Sequence, residues 1–474
     1  MNGRINDQKF LAASVSLKRF AQKSVLAPVV LGSFFIWALS PFPVFAQATL
    51  TRAPYIQNVT ASTAEVVWKT AAGGDSTVKY GTTTSYGQQA TGEAGRSIIG
   101  GQPGFLHHVK ITDLAVNTKY FYQILTSGQS LSPAADPSYY FKTALPTGST
   151  TPFTFAIFGD RSSGTIASAL NTRNPDFYMV AGDVAYNYSA DGSVQDAQHF
   201  GPFNIINRHT PVYPTCGNHD SSACPTLVDE HALPQGGKAG GLSTFSFDWG
   251  NAHFTAINSN ASVTYNSSSP QSSAPQMVWA YNDLKNSNQP WKILFWHHNA
   301  WSSGSHNTLT NIVNGPAKMA QDLGVDLVFW GHSHVYERFS RYPANGPAFF
   351  TIGNGGRTSG TPNCGPYPSG PTCLASSHGE AGFLFGEVNG NDMTLRYVTS
   401  GNANPDTSTY KSDGTGGPPP TTNTADLNGD GKVDVIDLGI LLSAWGQTTK
   451  PKSDLNQDGR VDVVDLGILL SKWG

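Results

Sequence analysis

Hydrophobic and polar positions follow three regimes along the chain. From about Leu50 to Leu145 the period is two. TAEVVWKT, STVKYGT, LHHVKITDL, KYFYQILTS and SYYFKT alternate apolar and polar residues, with Gly, Asn and Asp turns between them. Five or more short strands in about ninety-five residues predict a β-sandwich. After LPTGSTTP the runs become continuously apolar and end in polar residues: FTFAIFGD, DFYMVAGD, PVYPTCGNHD, KILFWHH and VDLVFWGHSH. Helical stretches such as NTLTNIVNGPAKMAQDLG lie between some of them. Buried strands with chemistry at their C-terminal ends are what a layered α/β sheet produces, here to about Ser400. Then GNANPDTSTYKSDGTGGPPPTTNT, rich in Gly, Pro, Ser and Thr, reads as a linker, flexible at its glycines and stiffer at the triple proline. Beyond it, ADLNGDGKVDVIDLGILLSAWG and SDLNQDGRVDVVDLGILLSKWG are near copies twenty-eight residues apart.

The 474 residues exceed one core and predict two to four domains. Lys9, Lys18, Arg19 and Lys23 precede the uncharged run SVLAPVVLGSFFIWALS, and PFPVFAQA follows with small residues at Ala46 and Ala48. This reads as a secretory signal peptide over 1–48. The competing reading is a membrane anchor, but the run is ~16 residues against the ~20 a spanning helix needs, and Pro28 interrupts it. No later segment is long and apolar enough to span. The protein is therefore expected to be secreted, extracellular or cell-surface associated, with no membrane span once the signal is removed.

Of 29 basic and 32 acidic residues, five and one fall within 1–48, which leaves 24 and 31 and a net charge of −7. That balance argues against a nucleic-acid backbone as partner. The four cysteines form two short-range couples, Cys216 with Cys224 and Cys364 with Cys373. In an exported chain this suggests two local disulfides, with free thiols in one couple as the alternative.

The polar residues that end the apolar runs are Asp160, Asp183, Tyr186, Asn218, His219, His297, His332 and His334. Carboxylate and amide oxygens, a phenol and at least three imidazoles are too many for one first-row ion and suit two that share a bridging carboxylate. Any one of these segments alone is weak evidence. All five in this order, each after a strand, are not.

On these segments the chain resembles the purple acid phosphatases, within the metallophosphoesterase superfamily. The matching stretches are FGD at 158–160, GDVAY at 182–186, GNHD at 217–220, WHHNAW at 296–301 and GHSHVYER at 331–338, with AFFTIGNGG at 348–356 similar to the closing strand. Tyr186 makes the resemblance specific, because a phenolate is a hard donor that favours a ferric ion. The resemblance implies Fe(3+) on Asp160, Tyr186 and His334, and a divalent ion (zinc, manganese or Fe(2+)) on Asn218, His297 and His332. Asp183 would bridge the two. His297 leads an H-x-x-x-W segment like the family's H-x-P-x-aromatic pattern, and His298 is the alternative ligand.

The resemblance further implies hydrolysis of phosphate monoesters by a metal-bound hydroxide. His219 would assist the leaving group, and His306 would contact substrate unless it is a neutral histidine on the SSGSHN loop. Two departures stand out. GDRSSG replaces the family's GDxG, and Asn299 stands where a proline is usual. Arg161 in the first either contacts substrate phosphate or faces solvent.

Each tail copy carries D-x-N-x-D-G-x-x-x-x-x-D. The first set is Asp426, Asn428, Asp430 and Asp437, with Gly431; the second is Asp454, Asn456, Asp458 and Asp465, with Gly459. Oxygen donors at positions 1, 3, 5 and 12 and glycine at 6 form an EF-hand-type Ca(2+) loop. A helix pattern follows each loop, and none precedes it. Two such half-hands resemble a dockerin, which implies a cohesin-bearing scaffold or cell-surface protein as partner. Val435–Ile436 and Val463–Val464 stand where cellulosomal dockerins commonly show polar residues, so an intramolecular or cell-envelope contact is the rival.

The expected architecture is multidomain: signal peptide 1–48, fibronectin type III-like β-sandwich 49–146, layered α/β/β/α metallophosphoesterase-like domain 151–400, linker 401–423 and a small α calcium-binding dockerin 424–474. The sandwich is expected to act as a structural spacer. The expected function is a secreted, dockerin-tethered acid phosphatase acting on a phosphate ester. The alternatives are a phosphodiesterase or nucleotide pyrophosphatase on the same scaffold, and a non-catalytic adhesion protein.

Overall fold

The computed structural model describes residues 48–474 apart from 99–100, 188, 190–191, 221–223, 235, 237–242, 360–361, 363, 365–366, 368–369, 378, 413–424, 426, 428–432, 448–451, 457 and 474. The expected signal segment, save Ala48, lies outside the described residues. So do Asp426, Asn428, Asp430 and Gly431 of the first calcium loop. Among the described residues no helix is long and apolar enough to cross a membrane.

The alternating N-terminal region forms two antiparallel sheets. One orders Leu50–Gln57, Ala64–Thr70, Phe105–Ile111 and Arg96–Ser97; the other orders Gln88–Gly92, Ser76–Gly81, Lys119–Thr126 and Gln129–Ser130, with Tyr140–Lys142 also on Lys119–Thr126. The inward residues of each strand, including Val66, Trp68, Val78, Val109, Tyr122, Ile124 and Phe141, fill the space between the sheets.

The second region is built from two mixed sheets packed face to face. Val212–Pro214, Phe177–Val180 and Phe153–Phe158 run parallel, and Gly382–Asn389, Asp392–Thr399 and Asp406–Lys411 continue that sheet antiparallel. In the other, Ala252–Ala256, Trp291–Trp296, Leu327–Trp330 and Ala348–Ile352 are parallel, Phe245–Trp249 and Tyr336–Phe339 run antiparallel to them, and Cys373–Ser377 pairs antiparallel with Tyr336–Phe339 at the edge. Each parallel strand buries both faces, which explains the unbroken apolar runs. Phe155, Ile157, Phe177, Met179, Phe254, Ile293, Phe295 and Phe329 meet between the sheets. Ala156, Phe158, Tyr178 and Val180 instead pack on Leu170, Ile206 and Leu227, while Leu294, Trp296, Val328 and Trp330 pack on Met277, Ala280 and Leu284 of helix Pro275–Asn286. The layers are α/β/β/α, as expected.

The domain runs further than expected. Strand Asp406–Lys411 extends the first sheet inside the segment read as linker. Its inward positions are Asp406, Ser408 and Tyr410, so polar residues occupy the buried face. Asp406 accepts hydrogen bonds from Tyr336 Oη at 2.6 Å and from Arg338 Nε at 2.8 Å. The charge is paired rather than stranded, which is what makes its burial tolerable.

The sandwich is more than a spacer. It locks onto the layered domain through Arg52, whose guanidinium lies 2.8 Å from Glu230 and 3.6 Å over the Phe200 ring. Lys69 pairs with Asp196 at 2.8 Å, Tyr55 Oη donates to Glu230 O at 2.6 Å, and Tyr122 Oη donates to Arg208 O at 2.7 Å. Buried, charge-paired contacts of this kind hold the two domains in one orientation.

In the tail, helices Val435–Ser443 and Val463–Leu470 each start at a capping box, Asp434 with Asp437 and Asp462 with Asp465. Their shared core is small: Ala425, Val433, Leu441, Ala444, Val461 and Leu469. Val435, Ile436, Val463 and Val464 are each at least half exposed.

Candidate metal centre

The C-terminal ends of parallel strands from both sheets open at one edge, and the polar residues gather there. Asp160 follows strand Phe153–Phe158, Asp183 and Tyr186 follow Phe177–Val180, and Asn218 and His219 follow Val212–Pro214. From the other sheet come His297 after Trp291–Trp296, and His332 and His334 after Leu327–Trp330. Asp160, Asp183 and His332 hold φ of 58°, 48° and 69°, a region few non-glycine residues adopt. Such backbone persists where packing over-determines it, and functional sites are where it concentrates. A glycine precedes each turn residue for a steric reason. A Cβ on Gly182 would stand 2.7 Å from the His297 ring, and one on Gly217 would collide with the Asp183 carboxylate.

The donors form two overlapping groups. In the first, Tyr186 Oη donates to Asp160 Oδ1 at 3.0 Å and sits 3.0 Å from His334 Nε2, which is 3.5 Å from Asp160 Oδ1. In the second, Asn218 Oδ1 lies 2.8 Å from His297 Nε2 and 2.9 Å from His332 Nδ1, with the two imidazole nitrogens 3.3 Å apart. Asp183 Oδ1 is 3.3 Å from His297 Nε2. Ligand atoms of Asp160, Asp183 and His297 all lie within 4.8 Å of one another. Outer partners aim the rings. His297 Nδ1 donates to Ala181 O at 3.0 Å, which leaves Nε2 as the lone pair, and His334 Nδ1 meets Ser359 Oγ at 2.6 Å.

Electrostatics explain why this donor set fits cations. Burial pushes the Asp160 carboxyl well above its ordinary range. Burial, then the charges of Asp160 and Asp220, raise Asp183 to about 9. Burial drives His332 down to about 2 and His334 to about 4, and holds His297 well below its ordinary value. Carboxylates crowded together in a buried site beside imidazoles held neutral form a donor set that a cation would stabilise. Neutral imidazole and anionic oxygen are the forms that bind metal.

The other sequence-derived candidates also reach this edge. His219 N donates to Asp183 Oδ1 at 2.9 Å, and its half-exposed ring lies 4.2 Å from the Tyr186 ring. The His306 ring stacks on His332 at 3.9 Å. His298 turns its Nδ1 to Ser259 Oγ at 2.8 Å, away from the Asn218 amide that His297 meets. Arg161 departs from both expectations. It is fully buried, with its guanidinium 4.4 Å over the Phe203 ring and bonded to His199, so it neither faces solvent nor reaches a phosphate at the mouth.

Two buried acids in the motif segments had no role on sequence grounds. Asp220 accepts N–H bonds from Val184 at 2.9 Å, Ala185 at 3.3 Å and Gly217 at 3.1 Å, which ties two ligand loops together. Glu337 accepts from Ser302 Oγ at 2.7 Å, Ser303 N at 2.9 Å and Tyr367 Oη at 3.1 Å, and so anchors the loop that carries His306. Arg357, outside every quoted motif, stacks over Tyr186 with 4.0 Å to the ring centre. Both cysteine couples are disulfides, Cys216–Cys224 and Cys364–Cys373.

In the second tail loop, Gly459 has φ 95°, the left-handed turn that position 6 requires. Asp454 Oδ2 accepts from Gly459 N at 2.9 Å, while its Oδ1 is buried with no hydrogen-bond partner among the described residues. Asp458 and Asn456 lie beside it, joined at 2.8 Å. Asp465 accepts from Leu455 N at 2.6 Å and Asp462 N at 2.7 Å, so the twelfth position closes the loop on the helix it caps. Asp437 makes the equivalent bonds to Leu427 N and Asp434 N at 2.7 and 2.9 Å. An orphaned buried carboxylate oxygen beside further oxygen donors fits a hard cation.

Comparison with known proteins agrees with this organisation. The calcineurin-like phosphoesterase family matches residues 159–336, the purple acid phosphatase N-terminal domain matches 53–143, and the dockerin type I domain matches 424–472. Purple acid phosphatase 22 of Arabidopsis thaliana is 29% identical over 317 residues, 60% of this chain and 67% of that protein. Purple acid phosphatase 15 of the same plant is 26% identical over 299 residues, 53% of this chain and 54% of that protein. The purple acid phosphatase of Glycine max is 26% identical over 324 residues, 59% and 66%. The chain thus spans about half to two-thirds of the length of these relatives. Among solved structures, purple acid phosphatase PPD1 from yellow lupin (Lupinus luteus) superposes with TM-score 0.63 at 18% identity, over 76% of this chain and 74% of that one. PhoD gives 0.58 at 12%, over 79% and 93%. The strand-end donors, the paired sheets and the sequence matches converge: the chain is similar to the purple acid phosphatases in its N-terminal and calcineurin-like phosphoesterase regions, and a dockerin type I match follows them.

Proposed function

We propose that the protein is a secreted phosphohydrolase that cleaves phosphate monoesters at a dinuclear centre. One observation carries this reading: seven donors from five separate strand ends converge on one edge, with two carboxylates and an imidazole within 4.8 Å. Asp160, Tyr186 and His334 would hold one ion, taken as ferric because of the phenol. Asn218, His297 and His332 would hold a divalent one, with Asp183 as the shared ligand. Two cations there neutralise the phosphoryl oxygens and make the attacking water more acidic.

The chain's own groups complete the reaction. Asp220 and Glu337 fix the loops, so the donors need no rearrangement when charge develops. His219, half-exposed at the rim, supplies a hydrogen bond to the leaving oxygen, and His306 meets substrate from the His332 side. The dockerin tethers the enzyme to a cohesin-bearing scaffold or surface protein, and both disulfides suit an exported protein.

Phosphate release from an aryl monoester, measured beside an aryl diester on metal-loaded protein, tests this function. The expected result is a monoester rate at least tenfold higher. Preference for the diester would move the reaction class, and no turnover with both ions bound would end the proposal.

A further inference from the structure

The rim of the centre carries a positive charge that metal binding does not use. Residues 355–359 are stapled to the ligand loops at several points. Gly355 N donates to Gly159 O at 2.9 Å, Arg357 N to Asp160 O at 3.1 Å, Ser359 N to His334 O at 3.3 Å, and the Ser359 hydroxyl meets His334 Nδ1. The Arg357 side chain is exposed and its guanidinium carbon lies over the Tyr186 ring, 4.0 Å from its centre. Stacking on an aromatic face suits a guanidinium and leaves its N–H edge open. Among the described residues that guanidinium makes no ion pair and no hydrogen bond.

A cation held this firmly and left unpaired at the mouth of a phosphate site is arranged to receive an anion. The transferred phosphoryl already has the metal pair and the rim histidines. Arg357 stands outside the converging donors, over the ring of a ligand.

We infer that Arg357 forms a second anion subsite that binds a further phosphate group of the substrate, directing the enzyme toward esters and anhydrides that carry two or more phosphates. This rests on the hydrolytic reading above and narrows its substrate class. A planar fork that engages two phosphate oxygens at once supplies geometry as well as charge.

The test compares full-length, metal-loaded wild type with Arg357→Gln and Arg357→Lys, using p-nitrophenyl phosphate and inorganic pyrophosphate. The Gln variant is expected to lose at least tenfold more kcat/KM on pyrophosphate than on p-nitrophenyl phosphate, mainly through KM. The Lys variant recovers part of the loss, and metal content holds throughout. Equal proportional losses on the two substrates, or no loss on pyrophosphate, would overturn the subsite. Calorimetric binding of methylenediphosphonate provides a readout independent of turnover. It should weaken at least tenfold in the Gln variant, more than the binding of inorganic phosphate does, and equal affinity would overturn the inference even in a protein that hydrolyses neither substrate.

Discussion

Replacing Asp183 with alanine is expected to lower kcat/KM for an aryl phosphate by about a thousandfold or more, roughly 4 kcal/mol of transition-state stabilisation. In the proposed centre Asp183 would be the ligand shared by the two ions, so its loss would disturb both, whereas losing an outer ligand would disturb one. The same substitution should act oppositely on the metal-free protein. There the carboxyl is 1% exposed and raised to about 9 by burial, then by Asp160 and Asp220, so at neutral pH it is protonated in the fold, and folding costs the uptake of a proton that the unfolded carboxylate lacks. Asp183→Asn keeps the shape and removes that cost. Its Tm without metal should equal or exceed that of wild type, while the rise in Tm on adding metal should shrink. Kinetics and melting curves with and without chelator check both signs. Full activity in either variant would remove Asp183 from the bridging position.

Calcium removal is expected to unfold the tail while leaving the layered domain intact. Six small or medium apolar side chains make up its core. Units of about fifty residues or fewer with so little to bury usually need a metal or disulfide, and both disulfides lie elsewhere. The buried Asp454 Oδ1 has no hydrogen-bond partner among the described residues, an arrangement a bound cation would satisfy. In chelator the segment from 424 should lose helical circular dichroism and become protease-labile, and excess Ca(2+) should restore both. Asp454→Ala should raise the calcium needed by about tenfold or more. A tail equally resistant with and without Ca(2+) would contradict this.

Much of the centre was legible because the ligands follow strands that end in apolar runs, four of the five with a glycine at the turn. That pattern follows from chain geometry: a buried strand must end at the sheet edge, and the next residue turns there. What stayed hidden depended on partners far away in sequence. Arg161 looks like a loop cation until Phe203 and His199, some forty residues on, enclose it. Strand Asp406–Lys411 has the composition of a linker because its buried face is polar, with Asp406 paired to Tyr336 and Arg338. The sandwich gave no sign that Arg52 would be buried against Glu230. Arg357 carries no motif at all. Its position follows from where the closing strand delivers the chain, which periodicity does not encode.

Metal analysis and the visible spectrum of the purified full chain, for wild type and Tyr186→Phe, test the central claim most directly. The expected result is two transition-metal ions per chain at this centre besides calcium, one of them iron, and a colour from phenolate charge transfer that the Phe variant loses while its fold persists. A colourless wild type with a single ion, or colour that survives in Tyr186→Phe, would contradict it.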